Sequence, residues 1–204
     1  MPEGPSIVIL KEQVQLFAGK KVTEVSGNSK ENISSALGEK IIDFKTWGKH
    51  FLICFPDFTI RIHLMLFGSY RINEVKELAP RLGLAFDNGF INFYACSVKI
   101  ISAPLDTVYD WTADIMSPVW DEKAAYKKLE AHRGSLLCDV LLDQHIFAGS
   151  GNIIKNEVLH RVRLHPLNKV ESIPPAKLIL LIKEMRNYAF DFLRWKKAFI
   201  LKKH

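Results

Sequence analysis

Cysteine is scarce in this 204-residue chain, and the three that occur, Cys54, Cys96 and Cys138, are odd in number and far apart. They supply neither a disulfide framework nor the paired spacing of a zinc site. Each sits in an apolar run and reads as a buried core thiol. Long hydrophobic runs are also missing: none approaches the roughly 18 to 20 residues of a membrane span. The opening Met1-Pro2-Glu3-Gly4-Pro5 lacks the basic-then-apolar order of a secretory signal, so a cytoplasmic location is expected. Internal repeats and low-complexity tracts are absent too.

What remains is an ordinary globular composition, 48% apolar and 25% charged, long enough for one large domain or two small ones. The net charge of +6 is unevenly spread. Residues 1–150 hold 16 basic and 18 acidic side chains, a net of −2, whereas residues 151–204 hold 12 and 4, a net of +8. A basic C-terminal third suits a polyanionic partner, and equally a solvated helix face.

Ile7, Leu10, Val14 and Phe17 recur at helical spacing, with Gly19 as the stop. From 21 to 102 the texture changes to short segments rich in Val, Ile, Phe and Tyr. Turn signals at Gly48, Pro56-Asp57, Gly68 and Asp87-Asn88-Gly89 separate them, and strands are expected at 40–46, 50–55, 58–64, 69–73, 83–87, 90–95 and 98–102. Spacings this short leave no room for crossover helices, so the sheets should be antiparallel. Pro104 and Pro118 bracket a linker, after which helices are expected at 121–132, 135–143, 152–162 and 174–200. The fold class is α+β: an antiparallel β-sandwich with an N-terminal helix (1–103), a linker (104–120) and an all-helical domain (121–204).

Pro2 carries the first chemical signal. Removal of the initiator Met1 before a small residue would leave a terminal secondary amine, which titrates near pH 8 and can attack an electrophilic carbon. Pro2 also suits the opening of a helix, with no chemistry at all. Glu3 next to it can move protons for such an amine, or simply complement a helix dipole. Gly149-Ser150-Gly151-Asn152 places two glycines before a helix, where backbone N–H groups converge on an anion and the Asn152 side chain can add a donor. A tight turn with an Asn cap would use the same residues.

Taken in order, these segments resemble the Fpg/Nei family, the formamidopyrimidine-DNA glycosylases and endonuclease VIII enzymes. Pro2-Glu3-Gly4-Pro5 resembles the family's N-terminus, and Gly48-Lys49-His50-Phe51-Leu52 the hairpin carrying its essential lysine. His63-Leu64-Met65-Leu66-Phe67-Gly68-Ser69 resembles the loop that fills the gap left by an extruded nucleotide. Leu141-Leu142-Asp143-Gln144, Ala148-Gly149-Ser150-Gly151-Asn152-Ile153, Asn156-Glu157-Val158-Leu159 and Leu164-His165-Pro166 resemble its helix–two-turn–helix signature. The likeness runs from residue 2 to about 200.

The resemblance implies a base-excision-repair enzyme that removes an oxidised base and then cleaves the abasic site by β,δ-elimination. Pro2 would be the nucleophile, through an iminium link to the sugar, Glu3 the proton donor to the sugar oxygen, and Lys49 a phosphate clamp. Gly149, Gly151 and Asn152 would bind backbone phosphate, Met65, Leu66 and Phe67 would wedge into the stack, and Glu157 would lie near the active site. The implied partner is double-stranded DNA containing oxidised bases or abasic sites, bound by a monomer, with no membrane association and a cytoplasmic, nucleoid-associated location.

Two departures qualify this. No cysteine follows Cys138, so the family's C-terminal zinc finger is not expected and no cofactor is; the basic segment 194–203 would have to supply its phosphate grip. A DNA-binding remnant with weak or no catalysis is the alternative reading. Ala95-Cys96-Ser97-Val98-Lys99 also lacks the arginine–phenylalanine pair of the Fpg branch, and the stretch from Pro166 to Pro174 is too short for a lesion-capping loop. Oxidised pyrimidines are therefore expected ahead of purines.

Overall fold

Ile7, Leu10, Val14 and Phe17, whose spacing predicts the N-terminal helix, are all fully buried in the computed structural model, which describes residues 2–201. The helix α1 spans Gly4–Gln13, a 3-10 turn follows at Gln15–Phe17, and Gly19 ends it at φ +76°. The chain groups into two units that do not follow its order. One contains Ile9–Thr46 and His50–Val108, with Pro2; the other contains Glu3–Val8, Trp47–Lys49 and the chain from Tyr109 onward.

The first unit is built on two four-stranded antiparallel sheets. Its strands are β1 (Glu24–Ser26), β2 (Asp43–Trp47), β3 (His50–Cys54), β4 (Thr59–His63), β5 (Ser69–Ile72), β6 (Leu82–Phe86), β7 (Gly89–Tyr94) and β8 (Ser97–Ile101). One sheet has the order β1-β6-β7-β5 and the other β2-β3-β4-β8. β6 and β7 are joined by only Asp87 and Asn88, and Gly89 at φ +144° relieves the reversal. The registers pair Leu84 with Ile91 and Phe51 with Ile62, so apolar residues share the inner faces. There Phe51 meets Phe93 of the other sheet, ring centroids 5.9 Å apart, which makes the pair a sandwich. The strand pattern does not reveal β1. It is three residues long, and its partly exposed side chains lack a period-two signal.

In the second unit, α3 (Glu122–Ala131) begins at Asp121, whose carboxylate accepts from the Lys123 and Ala124 amides. Next come α4 (Leu137–Val140), α5 (Asn152–Val162) and α6 (Pro175–Leu201), while a one-turn helix α2 (Leu105–Val108) belongs to the first unit. α4 is shorter than the expected 135–143, because Asp143 starts a new turn: its side chain accepts from the His145 amide and its carbonyl from Phe147. Residues 109–120, expected as linker, bury Ala113 and Ile115. The Ile115 amide donates to Ala148 O and the Ala148 amide to Ala113 O, at 3.1 and 2.8 Å. Phe147, Ile154, Val158, Leu181 and Met185 form the centre of this unit's core.

Cys54 and Cys96 are buried free thiols, as the apolar runs imply; Cys138, expected in the core, is only half-buried because Leu137, Val140 and Leu141 take the buried face of α4. No described helix is long and apolar enough to cross a membrane. Met65, Leu66 and Phe67 lie on the loop between β4 and β5, where Phe67 is 83% exposed. The loop is closed by Gly68, whose amide donates to Leu64 O at 2.7 Å. A Cβ on Gly68 would stand 2.0 Å from that oxygen, so the turn requires glycine. Phe147→Ala, which empties a fully buried site, should cost about 3–5 kcal/mol in chemical denaturation. Phe67→Ala should stay within about 0.5 kcal/mol of the parent, and a large loss there would show that the exposed loop is not its resting state.

Candidate active site

Four glycines allow separate stretches of backbone to come together in the second unit. Gly48, in the turn between β2 and β3, has φ +54°, and a Cβ there would lie 2.8 Å from the Gly149 amide nitrogen. Gly149 has φ +97°, and its own Cβ would be 3.4 Å from the Cα atoms of both Gly4 and Gly48. The Gly4 amide donates to Gly149 O at 2.9 Å. Gly151 leaves room for a carboxyl group, since a Cβ there would be 2.5 Å from the Glu3 side chain. Gln144 braces the turn: its Oε1 accepts from the Gly149 amide, and its Nε2 donates to Leu142 O and Ser150 O. Ser150 is fully buried, with no partner for its hydroxyl among the described residues.

Glu3 is the focus of this arrangement. It is 1% exposed, and its carboxylate accepts from the amides of Gly151 (3.0 Å), Ile153 (2.8 Å) and Ile154 (3.1 Å). These are the unpaired donors of the first turn of α5, where the helix dipole also favours negative charge. The Glu3 carbonyl meanwhile accepts from the Ser6 and Ile7 amides at the start of α1. The Gly151 amide is thus taken by an internal carboxylate and the Gly149 amide by Gln144 Oε1, so in this structure neither is directed at an external anion. Asn152 remains available for an external anion. Its side chain is exposed, and its Oδ1 accepts from Lys155 Nζ at 3.1 Å.

Lys49 follows Gly48 in the turn and is half-buried. Burial pushes its ammonium below the ordinary lysine value, and the nearby Glu3 carboxylate partly offsets this. Among the described residues, no carboxylate lies within ion-pair distance of it. Pro2, half-buried, directly precedes Glu3 in the chain. Glu157 is exposed on α5, five residues after Asn152. Both Glu157 and Glu3 act on Tyr188, whose hydroxyl is pushed up first by burial, then by Glu157, and further by Glu3, with Arg161 opposing. Met65, Leu66 and Phe67 belong to the first unit. No cluster of three or more His, Cys, Asp or Glu side chains among the described residues is placed to hold a metal ion. Of the basic segment 194–203, Lys202 and Lys203 lie outside the described residues.

Comparison with known proteins matches this architecture to DNA glycosylases. Residues 1–96 match the formamidopyrimidine-DNA glycosylase N-terminal domain. The chain is 32% identical over 162 residues to Endonuclease 8-like 3 of Mus musculus, covering 76% of this chain and 27% of that protein. It is also 32% identical over 150 residues to mouse Endonuclease 8-like 2, covering 67% and 44%. The chain therefore spans about a quarter of the length of the first relative and less than half of the second. A viral DNA glycosylase superposes with a TM-score of 0.86 at 19% identity, over 98% of this chain and 84% of that one. Lactococcus lactis Fpg, non-covalently bound to DNA with an abasic site, superposes at 0.82 and 20% identity, over 94% and 82%. At such identities the superpositions speak to fold alone, and the fold is that of the glycosylase domains. The chain belongs to the Fpg/Nei family.

Asp114 is a site residue that the sequence reading missed. It is 2% exposed, and its carboxylate accepts from the Gly48 amide at 3.1 Å and the Met116 amide at 2.9 Å. It thereby pins the turn that carries Lys49. The available signal was a single acid within the apolar run Ala113-Asp114-Ile115-Met116. Burial raises its pKa to about 6, with those two amides and Arg186 opposing the shift. Between the unfolded value near 3.8 and about 6, the folded state keeps a proton that the unfolded state has lost. Stability therefore falls as pH rises through that window, by about 1.4 kcal/mol per pH unit at most. Asp114→Asn, which cannot ionise, should gain in melting temperature relative to the parent between pH 4 and pH 7. A difference that stays constant across that range would show that Asp114 does not titrate there.

Proposed function

We propose that this protein excises oxidised bases from double-stranded DNA and then cleaves the abasic site, using the Pro2 amine as nucleophile once Met1 is removed. The observation that carries the reading is the placement of Glu3. The residue after the amine is buried and oriented by three amides, with the half-buried Lys49 ammonium close enough to feel its charge. A carboxylate so held is poised for proton transfer to the sugar ring oxygen, next to the carbon that Pro2 attacks. Among the described residues Oε1 accepts from the Ile153 amide alone, which leaves a lone pair for a proton.

In the proposed reaction the Pro2 nitrogen bonds to C1′ of the sugar, and the C1′–base bond breaks with its electron pair leaving on the base. Glu3 takes the proton released from the Pro2 nitrogen and delivers it to the ring oxygen as the nitrogen lone pair opens the C1′–O4′ bond, giving a cationic iminium. That cation withdraws electrons so that a C2′ proton is lost and the 3′ phosphate leaves; δ-elimination then releases the 5′ phosphate. Lys49 holds a phosphate beside the lesion, and Asn152 adds a neutral donor to the backbone. Met65, Leu66 and Phe67 fill the gap left by the extruded nucleotide, offsetting a few kcal/mol of lost stacking. Their exposure supports this role, because large apolar side chains on one loop are otherwise buried. The same triple favours oxidised pyrimidines over purines as substrates. We place the protein in the cytoplasm, acting as a monomer.

Borohydride added during reaction with abasic DNA should trap the protein covalently on the strand. Pro2→Gly should weaken the adduct and retention of Met1 should abolish it; equal trapping with Met1 still attached would remove Pro2 from the mechanism. Separately, Lys49→Ala should lower the magnitude of the log–log salt slope of DNA binding by about 1, while Asn152→Ala leaves it nearly unchanged. A lysine variant with an unaltered slope would mean that Lys49 does not touch a phosphate.

A further inference from the structure

A second lysine shares the field of Glu3. On α6, Tyr188, Phe192 and Lys196 follow one another at four-residue intervals and so share a face. The Tyr188 and Phe192 rings lie 6.2 Å apart, and Lys196 Nζ stands 5.6 Å from the centroid of Phe192. At the end of this row, Lys196 Nζ donates to Ser6 Oγ at 2.8 Å, and the Ser6 amide in turn donates to the Glu3 carbonyl. Lys196 is half-buried. As with Lys49, burial pushes its ammonium down and Glu3 partly restores it.

Two half-buried ammonium groups therefore face one carboxylate that is already committed to three amides. Among the described residues, no carboxylate lies within ion-pair distance of either lysine. Withdrawing an ammonium from water is costly when, among the described residues, a hydroxyl, a ring and the field of a carboxylate already bonded to three amides are what compensate it. Packing does not explain the charge, because an apolar side chain of the same length would lie on Phe192 equally well. The two ammonium groups and the carboxylate together carry one net positive charge, which an anion brought by a ligand would balance.

We propose that Lys196 is a phosphate-binding residue: its ammonium, held by Ser6 close to Glu3, grips a second backbone phosphate beside the one held by Lys49. The inference rests on the DNA-glycosylase reading and adds to it a cation supplied by α6. Two cations with separate tethers, one on the Gly48 turn and one on α6, hold the strand at two points and limit its rotation about either phosphate.

The test is equilibrium binding of the full chain to a duplex carrying a tetrahydrofuran abasic analogue, measured across a salt series. Lys196→Met keeps the stem that packs on Phe192 and removes the charge. It should weaken binding about tenfold or more near 0.1 M salt and lower the magnitude of the salt slope by about 0.9. Lys196→Arg should restore the slope. A role confined to packing would leave the slope of Lys196→Met at the parent value, and that result overturns the proposal. Failure of the parent chain to bind the duplex would sink the glycosylase reading and this inference together. Binding by the parent with an unchanged slope in Lys196→Met would sink this inference alone.

Discussion

Glu3 accepts from the first turns of two helices at once, its carbonyl from α1 and its carboxylate from α5, and the rest of the second unit is arranged around that double use. A helix start leaves N–H groups without intrahelical partners, and burying them unpaired is expensive. One residue meets that need for both helices. Around it the backbones of residues 4, 48 and 149 approach one another closely, and that of 151 meets the Glu3 carboxyl group. Close approach calls for glycine at all four positions, and Gly48 and Gly149 also adopt positive φ.

The electrostatics follow from the same burial. A carboxylate held out of water draws positive charge toward it, and Lys49 and Lys196 are both half-buried within its influence. Each lysine has a separate tether: Asp114 fixes the Gly48 turn, and Ser6 receives the Lys196 ammonium. An acid fixed by amides and flanked by partly desolvated ammonium groups is a common arrangement where proton transfer and anion binding must occur together. In the proposed reaction, the acid serves the sugar and the lysines serve the phosphates.

The first unit contributes differently. Its sandwich buries Phe44, Phe51 and Phe93 as ordinary core, yet leaves three consecutive large apolar side chains on the β4–β5 loop. The Gly68 turn holds that loop in a conformation no side chain at 68 would permit. Three apolar groups kept in water lower stability or solubility rather than raise them, so their presence points to use in a complex.

Much of this was legible in the linear chain. Alternating apolar residues and turn dipeptides marked seven of the strands, because hairpin chemistry is local, and the long helices showed through their 3.6-residue period. Pro2, Glu3 and the Gly149–Asn152 segment stood out as candidates because their residue types carry chemistry wherever they lie, and Lys49 through the resemblance of its segment to the family hairpin. The sequence could not show that the amides of Gly151, Ile153 and Ile154 converge on Glu3, since the pairing joins residues 148 to 151 positions apart. Asp114 read as a stray acid in an apolar run, and Lys196 as one of many lysines on a basic helix. Local propensity and period determined the elements and the reactive residue types. Only tertiary packing decided which acid faces which amide and which lysines lose their water, because burial and long-range hydrogen bonding are set by parts of the chain that lie far apart in sequence.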